Sequence, residues 1–206
     1  MPNEADEVQR KSYVTYIFSV PPSIGAFRPF PSLTMLESRA IISASGATGL
    51  RTWESALHLG NYLLSRGQDL VRDKHVLELG AGTGFLSILC AKHLKARHVA
   101  ATDGDEGIVN ALRENIFVNG LEGDSRIESL VLRWATPLSE VAFADESAID
   151  VVVGADIVCK CLTSQPVPAW DPRLSPETVG IATKIRLTSK SRRRMMKTQS
   201  VPWFPR

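Results

Sequence analysis

The stretch that decides the fold is KHVLELGAGTGFLSILCAKHLKARHVAATD, Lys74–Asp103. HVLEL is a compact apolar run with a single acid, closed by a glycine, and reads as a central strand. Gly80, Gly82 and Gly84 then alternate with small residues before GFLSILCAKHLKA, which fits a helix of ten or more residues. RHVAATD is a second strand. A strand-to-helix turn rich in glycine lets a backbone approach a ligand where side chains would intrude, so all three glycines are candidate ligand-binding positions.

What such a loop holds depends on its details. A pyrophosphate-binding fingerprint asks for glycine at a third position that Phe85 occupies here, and no Lys-Ser/Thr pair follows to make a phosphate loop. Glu78 stands inside the strand just before the turn, where it would face positive charge rather than a phosphate. The loop therefore suits a cationic ligand that carries a nucleoside, which points to S-adenosylmethionine. Asp103 ends the second strand, the place from which a ribose hydroxyl pair is normally held. Asp105 is better placed to cap the next helix.

Outward from this core the alternation continues. DEGIVNALRENIFVNG reads as a helix, with acids in its first turn and Asn119-Gly120 as its stop. RIESLVLRW and AIDVVVGAD are a third and a fourth strand. Strands alternating with helices imply a parallel sheet with helices on both faces, an α/β, Rossmann-like doubly wound architecture. Upstream, Trp53, Ala56, Leu57, Gly60, Leu63 and Leu64 recur at helical spacing, with Thr52 as the expected N-cap. SYVTYIFSV reads as a strand, whereas TMLESRAIIS fits a helix or a strand equally.

The totals suit one domain: 206 residues, 44% hydrophobic, 22% charged and formal net charge +2. Three cysteines in no disulfide pattern, and no apolar leader, point to a reducing compartment, the cytoplasm by default with the nucleus as the alternative. His58, His75, His93 and His98 show no ligand spacing, so no metal site is expected, and Cys90 reads as packing. Charge divides the chain. Residues 1–159 hold 14 Lys+Arg against 20 Asp+Glu, and residues 160–206 hold 10 against 2, with six of the twelve prolines. The expected organisation is an N-terminal extension at 1–47, a nucleoside-binding domain at 48–159 and a basic tail at 160–206 without packed structure. The basic run SKSRRRMMK within the tail reads as a solvated segment rather than a nucleic-acid patch.

The motifs ATGLRTWESALHLGNYL, VLELGAGTGFLSILCAKHL, ATDGDEGIVNALRENIFVNG, VLRW and VVVGAD together resemble the seven-β-strand protein-lysine methyltransferases, and within them the fungal members that modify translation elongation factor 2. The likeness runs from about Leu33 to Ile157. It implies a class I methyltransferase fold, S-adenosylmethionine as cofactor and a protein substrate, elongation factor 2, bound by a monomer without membrane or nucleic acid. Carried over by position, it implies that Trp53 shapes the site and that Gly80, Ala81 and Gly82 line the methionine and ribose end. Trp134 would flank the adenine, and Ala155 would touch the cofactor through its backbone. Asp156 would open the family's Asp-x-x-Tyr signature and orient the incoming amine. Here that signature ends in Cys159, so the expectation is a family C-terminal part missing or replaced after Val158 and a sheet truncated after the fourth strand. An inactive fragment that binds cofactor or partners, and a methyltransferase for a small molecule or nucleic acid, stay open as alternatives.

Overall fold

The computed structural model describes residues 11–19, 30–38, 48–133 and 149–157, together with two short strands further on, Gly180–Thr183 and Lys197–Ser200. In chain order the elements are β1 (Lys11–Ile17), β2 (Ser32–Ser38), α1 (Glu54–Ser65), α2 (Gln68–Val71), β3 (His75–Leu79), α3 (Phe85–Lys92), β4 (His98–Asp103), α4 (Glu106–Val118), β5 (Ile127–Val131), β6 (Val151–Gly154), β7 (Gly180–Thr183) and β8 (Lys197–Ser200). β1 and β2 form an antiparallel hairpin; the other six strands form one sheet in the order β5-β4-β3-β6-β7-β8.

The four strands read from the sequence pair in parallel, β5 on β4, β4 on β3 and β3 on β6. Each of the crossovers β3-α3-β4 and β4-α4-β5 carries one helix, as parallel pairing requires. The sheet does not stop at the fourth strand. β7 pairs antiparallel with β6, and β8 pairs antiparallel with β7. The edge of β6 is therefore covered rather than left as an open template for aggregation. The remainder of the tail at 160–206 lies outside the described residues.

Alternation along the strands divides the core. Val76, Val99, Ala101, Val151 and Val153 face one side and join Phe85, Leu86, Leu89, Leu112 and Ile116 of α3 and α4 and Leu59 and Leu63 of α1 in the main cluster. Leu77, Ala100 and Val152 face the other side, with Ile149. Sequence pattern led us to expect helices on both faces, but those of the described residues all gather on the first. The cause is topological: right-handed crossovers that step the same way, from β3 to β4 to β5, leave their helices on the same side.

The segment read as an N-terminal extension contributes to this same core. TMLES is strand, and Phe18, Leu33 and Met35 of the hairpin are buried in the main cluster. Tyr16 meets the Phe85 ring edge-on at 5.2 Å. What attaches the hairpin is polar. Asn115 of α4 and Asn119, the residue that caps its C-terminus one turn later, face the edge of β2 that β1 leaves open. Asn115 Oδ1 accepts from Leu36 N at 2.6 Å, and Asn119 accepts from Thr34 N at 3.1 Å while donating to Thr34 O at 2.7 Å. His93, which caps the C-terminus of α3, donates to Ser32 O at 3.0 Å, and Ser38 N donates to Leu50 O at 2.9 Å. Side chains thus replace a missing third strand, rung by rung.

Asn115→Ala removes the acceptor of Leu36 N and a donor to Thr83 O, leaving part-buried backbone groups without partners. The expected loss is about 2–6 kcal/mol by chemical denaturation, at roughly 1–3 kcal/mol for each of the two orphans. Hydrogen exchange should accelerate at Thr34 and Leu36 more than in β3 and β4. Uniform acceleration across the sheet would contradict the local role.

Candidate functional site

The carboxyl ends of β3, β4 and β6 open into one cleft of about 630 Å³. This is the side of a parallel sheet where ligands collect, and β3 is where successive connections leave in opposite directions. Three segments meet there: the Gly80–Thr83 turn after β3, Asp103 to Asp105 after β4, and Ala155 to Ile157 after β6. The Thr48–Trp53 loop ahead of α1 forms the fourth wall.

The turn needs glycine for two different reasons. Gly82 has φ +53°, and a Cβ on it would lie 3.2 Å from Gly49 O, so the two loops touch through bare backbone. Gly84 has φ +81° and sits at the N-cap of α3, away from the cleft wall. A Cβ there would come within 2.9 Å of Leu112, so its role is to let α3 and α4 pack closely. Of the three glycines read as ligand-binding, Gly80 and Gly82 line the cleft and Gly84 does not.

Asp103 accepts from Gly82 N at 3.1 Å through one oxygen and from Asp105 N at 3.2 Å through the other. The carboxylate is thereby fixed at the cleft and ties the two loops together. Asp105 caps α4 as read, accepting from Ile108 N at 3.0 Å. Trp53 lines the cleft, but from a different place than expected. It is itself the N-cap residue of α1, its indole donates to Thr48 O at 3.1 Å, and Arg51 lies 5.4 Å from its ring centroid. Thr52, expected to cap the helix, turns inward instead, because buried partners hold its hydroxyl. Ala81, Ala155 and Asp156 also border the cleft, with Asp156 exposed just beyond β6 in the left-handed region at φ 57°. Trp134 and Cys159 lie outside the described residues.

Glu78 is on the cleft wall and 3% exposed. Its Oε2 accepts from Ser87 N at 2.9 Å and from the Ser87 hydroxyl. Burial pushes its carboxyl up to about 8, with Asp103 adding repulsion and Ser87 opposing both. A positive charge in the cleft favours the ionised form.

Sequence reasoning missed Gly49, Arg51, Thr52, Thr83 and Ile108, which also line the cleft. The first three lie in TGLRTW, part of a motif already quoted for the resemblance, but neither periodicity nor charge marks them individually. Among the described residues, no three His, Cys, Asp or Glu side chains are placed to hold a metal ion, and no helix is long and apolar enough to cross a membrane.

A parallel four-stranded core with a glycine turn after one strand and a fixed carboxylate after the next, both on one cleft, is a Rossmann-like α/β fold. The profile described as lysine methyltransferase matches residues 37–197, and the chain belongs to that family. The match extends well past Val158, so the resemblance covers more of the chain than its motifs alone. The chain is 44% identical over 195 residues to the protein-lysine N-methyltransferase EFM3 of Chaetomium thermophilum, covering 93% of this chain and 57% of that protein. It is 35% identical over 150 residues to EFM3 of Saccharomyces cerevisiae (61% and 42%) and 32% identical over 138 residues to EEF2KMT of Mus musculus (62% and 39%). It therefore spans about half the length of these relatives.

Two outcomes follow from the geometry. The folded chain holds the Glu78 proton more tightly than an unfolded one, at about 8 against 4.5, so this stabilisation is complete below the unfolded value and disappears as pH rises through 8. Glu78→Gln should therefore gain on the wild type by a few kcal/mol, to order of magnitude, between pH 5 and pH 9. Thermal melts of both at pH 5, 7 and 9 check this; a gap constant with pH would refute it. Gly84→Ala should cost about 1–3 kcal/mol from a strained φ and overpacking against Leu112. Its urea midpoint should fall with little change in slope.

Proposed function

We propose that this chain binds S-adenosylmethionine in the cleft and methylates a lysine of a protein substrate, translation elongation factor 2, in the cytoplasm. The observation that carries the proposal is the convergence of Gly82, Asp103 and Asp156 from three strand ends on one cleft, in a chain of the lysine methyltransferase family. The choice of elongation factor 2 is supported by the resemblance of the motifs to the fungal enzymes that modify it.

The residues present fit the cofactor chemically. Gly80 and Gly82 line the cleft with backbone alone, Asp103 offers a fixed carboxylate to a pair of hydroxyls, and Glu78 offers a buried acid to positive charge. Trp53 and Ala155 would close the walls around it. When bound, S-adenosylmethionine supplies a methyl group on a cationic sulfur that a neutral lysine amine can accept. The chain's own task is alignment and charge balance. Asp156, exposed at the rim, would accept a hydrogen bond from the arriving amine and orient its lone pair inward. The substrate lysine must arrive or become neutral, since an ammonium has no lone pair.

The test is methyl transfer by the full chain to purified elongation factor 2, followed by mass spectrometry, alongside calorimetric binding of S-adenosylhomocysteine. Asp156→Asn should lower kcat about 10- to 100-fold with product affinity nearly unchanged. Asp103→Ala should weaken S-adenosylhomocysteine binding at least about tenfold, through a lost charge-assisted hydrogen bond. Tight binding without methylation of any lysine would leave the cofactor assignment standing and overturn the activity.

A further inference from the structure

Glu37 is a charged residue, 6% exposed, on the hairpin rather than on the nucleoside-binding sheet. Nothing in the turn, the ribose carboxylate or the rim acid uses it. It accepts from the Tyr16 hydroxyl at 3.1 Å and 3.2 Å and from Thr52 Oγ1 at 2.5 Å. Thr52 Oγ1 lies in turn 2.7 Å from Thr83 Oγ1. Thr52 and Thr83 both line the cleft, and Glu37 does not.

The proton count settles the direction of this chain of contacts. A hydroxyl has one proton. Thr52 gives its proton to Glu37 Oε1. Thr83 must therefore be the donor in the Thr83–Thr52 pair. Its only proton is directed into the protein, and what its oxygen has left for the cleft is lone pairs. Without Glu37 the pair could equally run the other way, with the Thr83 proton turned to the ligand. The same wall carries the Glu78 carboxyl, whose ionised form a positive charge in the cleft would favour, so both side chains suit a group that donates hydrogen bonds and carries positive charge.

We infer that Glu37 is a positioning residue for ligand recognition: acting through Thr52, it polarises Thr83 into an acceptor that selects a ligand bearing an ammonium group. The inference rests on the cofactor assignment above and deepens it, because the α-ammonium of the amino-acid end is the donor available there. It also gives the hairpin a part in the site, since one of its side chains sets the polarity of a cleft that the hairpin does not line through Glu37 itself.

Calorimetry with S-adenosylhomocysteine, and with its analogue in which hydrogen replaces the α-amino group, tests this. Glu37→Gln keeps shape but lets the carboxamide donate to Thr52, freeing the relay to reverse. S-adenosylhomocysteine affinity should fall about tenfold, the size of one hydrogen bond to a charged group, while the analogue changes less than about twofold. Thr83→Val changes no charge and should show the same selective loss, which separates the hydroxyl from long-range attraction by Glu37. If Glu37→Gln lacks a cooperative melt, Thr83→Val alone decides. Equal losses for both ligands, or full S-adenosylhomocysteine affinity in Thr83→Val, would overturn the relay while leaving the cofactor assignment intact. A wild-type chain that binds neither ligand would overturn the assignment and the relay with it.

Discussion

The structure depends on how the inner edge of β2 satisfies its backbone. A two-stranded hairpin is marginal in water and presents an unpaired edge on each side. Here the inner edge meets helices, not a strand, and helices have no free backbone groups along their length to offer. Asn115 and Asn119 solve this with carboxamides, each presenting an acceptor and a donor as a peptide group does. Their one-turn spacing at the end of α4 matches alternate residues of β2, so two side chains reach Thr34 and Leu36 in register. Burial pushes His93 toward its neutral form, in which one ring nitrogen still donates to Ser32 O.

From that attachment the polar interior of the cleft follows. With β2 held against α4, Glu37 lies beside Thr52, and Thr52 beside Thr83. Asn115 also donates to Thr83 O at 3.0 Å, so the same side chain grips the hairpin and the glycine turn. A buried carboxylate is costly unless it is hydrogen-bonded, and Glu37 is bonded by Tyr16 and Thr52. Glu78 takes the alternative course: with Ser87 as its donor and Asp103 nearby, burial holds its proton on to near-neutral pH. Glu37 thus sits behind the cleft wall, bonded through Thr52, and Glu78 stands on the wall itself.

The parts of the site easiest to read were those where backbone demands are local. Gly82 and Asp103 stand at strand ends, and the period of the flanking residues announces those ends. Asp105 caps α4 because an aspartate before a helix has few other tasks. Thr52 and Gly84 show where the reading misled. Thr52 has the chemistry of an N-cap but finds stronger partners in Glu37 and Thr83, and Trp53 takes the cap position without capping by its side chain. Gly84 belongs to the glycine pattern, yet its missing side chain makes room for Leu112 of a helix that begins more than twenty residues later. Neither outcome is visible without knowing what packs opposite.

The sequence by itself determined the parallel strands, the helices that follow β3 and β4, the glycine turn and the acid after it. These rest on hydrophobic period and on backbone geometry that only certain residues allow, and both act over short separations. Tertiary structure decided that all described helices share one face, that the sheet continues through β7 and β8, and that residues before the glycine motif complete the site. It also decided the function of asparagine on α4, where a residue that reads as a helix stop or a surface polar group became a surrogate strand. Such pairings join residues some eighty positions apart, and nothing in the local composition of either partner records the other.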